Sequence, residues 1–133
     1  MTALEIVKHY YDNFNNKNWQ GMMDLLADDV RHDANQGETY YGKENFEKFL
    51  QKMDECYEEE LKDLVLFQAT LTERIAAEFT VYGYYKKTDG DLPPAKNQHY
   101  ILPAGAFFEV QNGKITRIST YYNLPLWISL ISA

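Results

Sequence analysis

A chain of 133 residues, 45% hydrophobic and 15% aromatic, can bury one core, and its 25% charged residues suit a folded rather than a disordered protein. Twenty acids against 13 bases leave a net charge of −7, which repels a phosphate backbone and argues against a nucleic-acid partner. The lone Cys56 cannot form an internal disulfide, no apolar run reaches the ~18 residues of a membrane span, and Met1-Thr2-Ala3-Leu4-Glu5 lacks the blocks of a signal peptide. A cytoplasmic protein without a membrane partner is expected.

Residues 1–66 hold 15 acids and 7 bases and show helical periodicity, whereas residues 67–133 hold 5 acids and 6 bases and alternate with a period of two. Helices first and strands later predict a single α+β domain over 1–133. Thr2 and Glu5 form a capping box, and Leu4, Val7, Tyr11 and Phe14 follow at helical spacing. Asn15-Asn16-Lys17-Asn18 ends that helix. Trp19, Met22, Met23 and Leu26 predict a second, shorter helix that stops near Asp28-Asp29, before an extended piece from Val30 to Asn35 and a turn at Gly37. Phe46, Phe49, Leu50, Met53 and Tyr57 stripe a third helix. Strands follow from Leu61, with Ile75, Ala77, Phe79 and Val81 on one face after a turn at Thr72-Glu73. Lys86 to Gln98 is a loop rich in Gly, Pro and Asp.

Asn112-Gly113 joins strands His99–Gln111 and Lys114–Asn123 through a type I′ turn. Counting back from the turn pairs Phe107 with Ile118, Gly105 with Thr120 and Pro103 with Tyr122. His99, Ile101, Pro103, Gly105 and Phe107 then share one face. Ala104, Ala106, Phe108, Val110, Arg117 and Tyr121 share the other. Both faces are largely apolar, so the second is expected to be covered by another copy of the chain, making a homodimer. The apolar tail from Leu124 to Ile131 is expected to pack over the opening of the fold or onto the partner.

The Tyr10 helix, Leu25-Leu26-Ala27-Asp28-Asp29-Val30, His32-Asp33, Gly42-Lys43-Glu44 and Gly113-Lys114-Ile115 occur in a recognisable order. So do His32-Asp33-Ala34-Asn35-Gln36-Gly37 and Leu102-Pro103-Ala104-Gly105-Ala106-Phe107-Phe108. Over almost its whole length the chain resembles the nuclear transport factor 2-like (NTF2-like) superfamily, in its ketosteroid isomerase-related, SnoaL-like polyketide cyclase branch. The resemblance implies a cone of three N-terminal helices on a strongly curved, mainly antiparallel sheet enclosing a pocket, with homodimers common.

The isomerases of that superfamily use an Asp base, with a Tyr and a protonated Asp around the developing oxyanion. The resemblance places Tyr10 on the Tyr donor and, with a one-residue gap, Asp33 on the base, with His32 beside it. Strand parity puts His32 with Val30 and Ala34, and Asp33 with Arg31 and Asn35, so only an irregular segment brings both to a pocket. At the surface, Asp33 would instead pair with Arg31 or Lys43. The second acid falls near Gly105 or Ala106, and neither can donate a proton; Tyr122 on the facing strand is either a substitute donor or a pocket wall. The candidate catalytic residues are therefore Tyr10, His32 and Asp33. The candidate substrate-binding residues are Tyr122, His99, Ile101, Phe107 and Ile118. His9, His32 and His99 have no metal-ligand spacing, and no cofactor is expected. The resemblance implies proton transfer on an apolar carbonyl substrate: isomerisation, cyclisation or dehydration. The alternative is a non-catalytic dimeric module that binds a hydrophobic ligand or partner.

Overall fold

Thr2 Oγ1 accepts from the Glu5 amide at 3.1 Å and the Glu5 carboxylate accepts from the Thr2 amide at 3.0 Å, so the expected capping box opens helix α1 (Ala3–Asn15). The computed structural model describes residues 1–35 and 37–133; Gln36, part of one stretch that carries the resemblance, lies outside the described residues. After α1 come α2 (Trp19–Met23), β1 (Leu26–Asp33), β2 (Thr39–Tyr41) and α3 (Lys43–Cys56). β3 (Tyr57–Gln68), β4 (Arg74–Tyr85), β5 (Gln98–Gln111), β6 (Lys114–Tyr122) and α4 (Leu124–Ser132) complete the chain. The strands form one sheet in the order β2-β1-β6-β5-β4-β3, curled but not closed, in which only β1 and β6 run parallel. Helices α1 and α3 cover its inner face, and α4 packs against β5.

Four elements depart from the sequence expectation. Helix α2 stops at Met23, and Leu26 already opens β1. Leu26 and Val30 are both buried, and a spacing of four suits a helix face and a strand face equally. Tyr57 belongs to β3 rather than to the α3 stripe: the backbone turns extended at Tyr57, and Glu58, Glu59 and Glu60 pair with Tyr84, Gly83 and Tyr82 of β4. The tail is a fourth helix, capped by the Asn123 side chain accepting from the Leu126 amide at 3.1 Å.

The fourth departure is the hairpin register. Asn112 and Gly113 both have positive φ, as a type I′ turn requires. Val110 pairs with Ile115, but Glu109 then pairs with Arg117, so Thr116 is the extra residue of a bulge. Beyond it Phe107 pairs with Ser119, Gly105 with Tyr121 and Ala104 with Tyr122. A one-residue slip turns every β5 side chain to the opposite face. Tyr100, Leu102, Ala106, Phe108 and Val110 are consequently core, whereas His99, Ile101, Pro103 and Phe107 point outward. Ile118 and Tyr122, beyond the bulge on β6, keep the inward direction expected of them.

Candidate functional site

Between the helices and the curled sheet lies a cavity of about 560 Å³. Its walls are mostly apolar: Phe14 and Met22 from the first two helices, Phe49 and Met53 from α3, Phe79, Val81 and Leu102 from the sheet, and Trp127 from α4. A few polar groups break that surface, and their positions decide what the cavity can do.

Tyr10 and His32 both line it, near Phe46. The Tyr10 ring centroid is 6.5 Å from that of Phe46 and 5.2 Å from that of Tyr11, and burial pushes the Tyr10 phenol well above its ordinary pKa, keeping it a donor. The His32 ring sits edge-on to Phe46 and Phe49 at 4.9 and 4.4 Å. Burial lowers its pKa to about 4, against a weaker opposing pull from Asp33, so His32 is neutral at pH 7.

Asp33 turns away, as regular strand parity requires. Its carboxylate accepts from Ser119 at 2.5 Å, Thr39 at 2.7 Å and Arg31 at 3.1 Å. Burial alone would raise its pKa, but these donors outweigh it and hold the group below its ordinary value. Arg117 extends the network from Ser119 to Glu109, on the outer side of β5 and β6. Saturated with donors, this carboxylate latches β1, β2 and β6 together. His99, Ile101 and Phe107 are absent from the cavity lining for the register reason given above; the His99 ring instead meets the Gly83 carbonyl at 2.9 Å. Ile118 is fully buried behind the lining, and Tyr122 faces the cavity.

The carboxyl group that does face the cavity is Glu59. Period-two alternation along β3 puts Tyr57, Glu59 and Leu61 inward and leaves Glu58 and Glu60 outside. Asn15 locks the strand there, its side chain accepting from the Leu61 amide at 2.9 Å and donating to the Leu61 carbonyl at 3.0 Å. Glu59, Gly83 and Tyr100 are cross-strand neighbours in one row over β3, β4 and β5. Because Gly83 has no side chain, the Tyr100 ring lies across β4 and its hydroxyl donates to Glu59 Oε2 at 2.5 Å. Burial raises the Glu59 pKa, with the Tyr100 hydrogen bond and distant Lys17 opposing it. Burial, then the neighbouring Glu59 carboxyl, raises that of Tyr100.

A second acid, Asp89, reaches the same end of the cavity from the β4–β5 loop. It accepts from the Tyr57 hydroxyl at 2.7 Å and pairs with Lys52 at 2.7 Å, so its charge is already matched. Trp127 of α4 packs edge-on against Tyr57, Tyr85 and Tyr100 and closes this end, as expected of the tail. Among the described residues no three of His, Cys, Asp and Glu gather as a metal site.

A carboxyl with a raised pKa in an apolar wall, held by a phenol, is placed both to take a proton and to return it. Glu59 escaped the sequence reading because Glu58-Glu59-Glu60 looks like a solvated acidic run. The signal that finds it is the alternation Tyr57, Glu59, Leu61.

The model of the SnoaL-like domain family matches residues 7–118. The chain is similar to the crystal structure of a proposed polyketide cyclase from Pseudomonas putida KT2440, with 48% identity, 98% of each chain covered and a TM-score of 0.96. It is also similar to a proposed polyketide cyclase from Silicibacter sp. TM1040, with 47% identity, 98% of this chain and 96% of that one covered, and a TM-score of 0.95. An NTF2-like protein of unknown function from Burkholderia pseudomallei K96243 is 19% identical over 98% of each chain at a TM-score of 0.83, a likeness of fold alone. Among curated proteins, none matches the chain.

Proposed function

The chain belongs to the SnoaL-like domain family, and from that premise we propose that it is a small-molecule enzyme moving a proton on an apolar carbonyl substrate. The observation that carries this reading is Glu59: a carboxyl group with a raised pKa, hydrogen-bonded by Tyr100, on the wall of a mostly apolar cavity. Ionised Glu59 takes a proton from the carbon beside the carbonyl, and the electron pair of that C–H bond moves onto the carbonyl oxygen as an enolate. Protonated Glu59 can return the proton to a different carbon, which is isomerisation. The enolate carbon can instead attack a second carbonyl, whose oxygen then takes the proton held by Glu59, which is aldol-type cyclisation; or it can expel a β-hydroxyl that leaves as water with that same proton, which is dehydration. The similarity to two proposed polyketide cyclases favours cyclisation of a polyketide-like substrate. Tyr10 serves as a hydroxyl donor on the wall near His32, and neutral His32 shapes that wall. Asp33 has no part in the chemistry.

The apolar outer face of the sheet, with Phe107 and Tyr121 about half exposed and packed edge-on at 5.8 Å, supports a homodimer. The buried free thiol of Cys56 suits the reducing cytoplasm. The alternative, a non-catalytic module for a hydrophobic ligand, draws on the apolar lining but leaves a carboxyl with a raised pKa in the wall without a use.

Deuterium uptake at the α-carbon tests proton abstraction without knowledge of the natural substrate. 2-Tetralone in D2O is followed by NMR, with the uncatalysed exchange subtracted. Wild type should accelerate uptake, and Glu59→Gln should reduce the enzyme's share about a hundredfold or more. Equal uptake in both proteins would eliminate Glu59 as the base, and tight binding of the ketone without accelerated uptake would favour the non-catalytic module.

A further inference from the structure

Asn35 follows β1, and its side chain prolongs the parallel β1–β6 ladder: Oδ1 accepts from the Tyr122 amide at 2.9 Å. That contact fixes the orientation of the amide, because only the oxygen can accept from a backbone N–H. The Nδ2 end is left buried with no hydrogen-bond partner, alone in this among the side-chain polar atoms of the described residues. Unpaired buried donors are rare and costly in native proteins, and one in a cavity wall points to an acceptor carried by the ligand. Asn35 and Tyr122 both line the cavity; burial, then Glu59 and Asp89, raise the Tyr122 pKa while the nearby Asn35 side chain opposes them, so the two polar groups act on one region.

We propose that the Asn35 amide and the Tyr122 hydroxyl form the seat for the ligand's carbonyl oxygen. Two donors match the two lone pairs of one carbonyl oxygen, and the same donors can hold the oxygen when it becomes an enolate. Ionised Glu59 places negative charge within reach of Tyr122, which disfavours a ligand that arrives as a carboxylate. The seat therefore takes an uncharged ketone. It rests on the proposed proton transfer only for its role in turnover, and binding tests it separately.

The probe is 2-acetylnaphthalene labelled with carbon-13 at the carbonyl, beside 2-isopropenylnaphthalene, in which CH2 replaces the oxygen, and 2-naphthoate. Infrared spectra of the bound ketone should show its carbonyl stretch shifted down from its value in hexane. Asn35→Asp keeps an oxygen toward the Tyr122 amide and removes the free N–H2. It should lose part of the shift and lower the preference for ketone over hydrocarbon roughly tenfold. Tyr122→Phe should lose another part, and thermal melts establish that both variants fold. Glu59→Gln should leave the shift in place whether or not it abolishes deuterium uptake, so failure of the proton-transfer reading remains separable. An unshifted stretch in the wild type, a shift retained in both seat variants, tighter binding of naphthoate than of the ketone, or no saturable ketone binding would each overturn the assignment.

Discussion

Replacing Gly83 by Ala probes the row that places Glu59. In an ordinary strand this change is favourable by about 0.5–1 kcal/mol, because Gly loses more conformational freedom on folding. Here an ideal Cβ would stand 2.5 Å from Tyr100 Cζ and 2.6 Å from its hydroxyl oxygen, where ordinary contact begins at 3.4 Å. The ring must therefore retreat by about 1 Å, and a hydrogen bond of 2.5 Å to Glu59 would stretch past the ~3 Å limit of a good O–H···O contact. Overpacking of this kind costs about 1–3 kcal/mol, leaving a net loss of up to about 2.5 kcal/mol. In thermal unfolding that is a fall of up to roughly 10 °C. The Glu59 pKa should rise further, since the Tyr100 hydrogen bond is what opposes its burial. The control is the same substitution in a Tyr100→Leu background, where the sign should reverse and Gly83→Ala become neutral or stabilising. A loss of equal size in both backgrounds would refute the account, because the clash would then lie with something other than the Tyr100 ring.

His32, with a folded pKa of about 4 against an ordinary 6.5, should make the protein sensitive to acid. Its contribution is fully present above pH 6.5 and is lost as pH falls toward 4, about 3 kcal/mol in all, so denaturant titrations of His32→Leu should be flatter in that window. Glu59 has the opposite sign: its raised pKa means stability falls as pH climbs from about 4.5, so Glu59→Gln should gain stability relative to wild type near pH 7. Trp127, 4% exposed among three tyrosine rings, should lose about 3–5 kcal/mol on change to Ala; an unchanged melt would mean that α4 does not close the cavity. Phe107→Glu on the outer face should convert a sedimenting dimer into folded monomer, whereas Phe108→Glu should fail to fold; a monomeric wild type would remove the dimer.

The fold was readable because its signals are local. The capping box, the Phe46–Leu50 stripe and the Asn112-Gly113 turn each depend on a few adjacent residues. The site was readable in part. Tyr10, His32 and Tyr122 face the cavity, and parity alone correctly set His32 against Asp33. Thr116 is what hid the rest: nothing in Lys114-Ile115-Thr116-Arg117 announces a bulge, yet one extra residue moved Ile101 and Phe107 outside and Phe108 into the core. The Glu59–Gly83–Tyr100 row joins residues from three strands, and Asn35 acquires its meaning only from the Tyr122 amide, 87 residues away. Contacts of that range have no sequence periodicity to betray them.

The pH dependence of α-deuterium uptake, measured with a carbon-13 NMR titration of the Glu59 carboxyl in the same samples, tests the central claim most directly. The account predicts that the enzyme's share of uptake rises with pH through an inflection that coincides with the Glu59 midpoint. That midpoint should lie above the ordinary glutamate value of 4.5 and be missing from the rate profile of Glu59→Gln. A Glu59 midpoint at or below 4.5, or an uptake profile that ignores it, would contradict the claim that this carboxyl moves the proton.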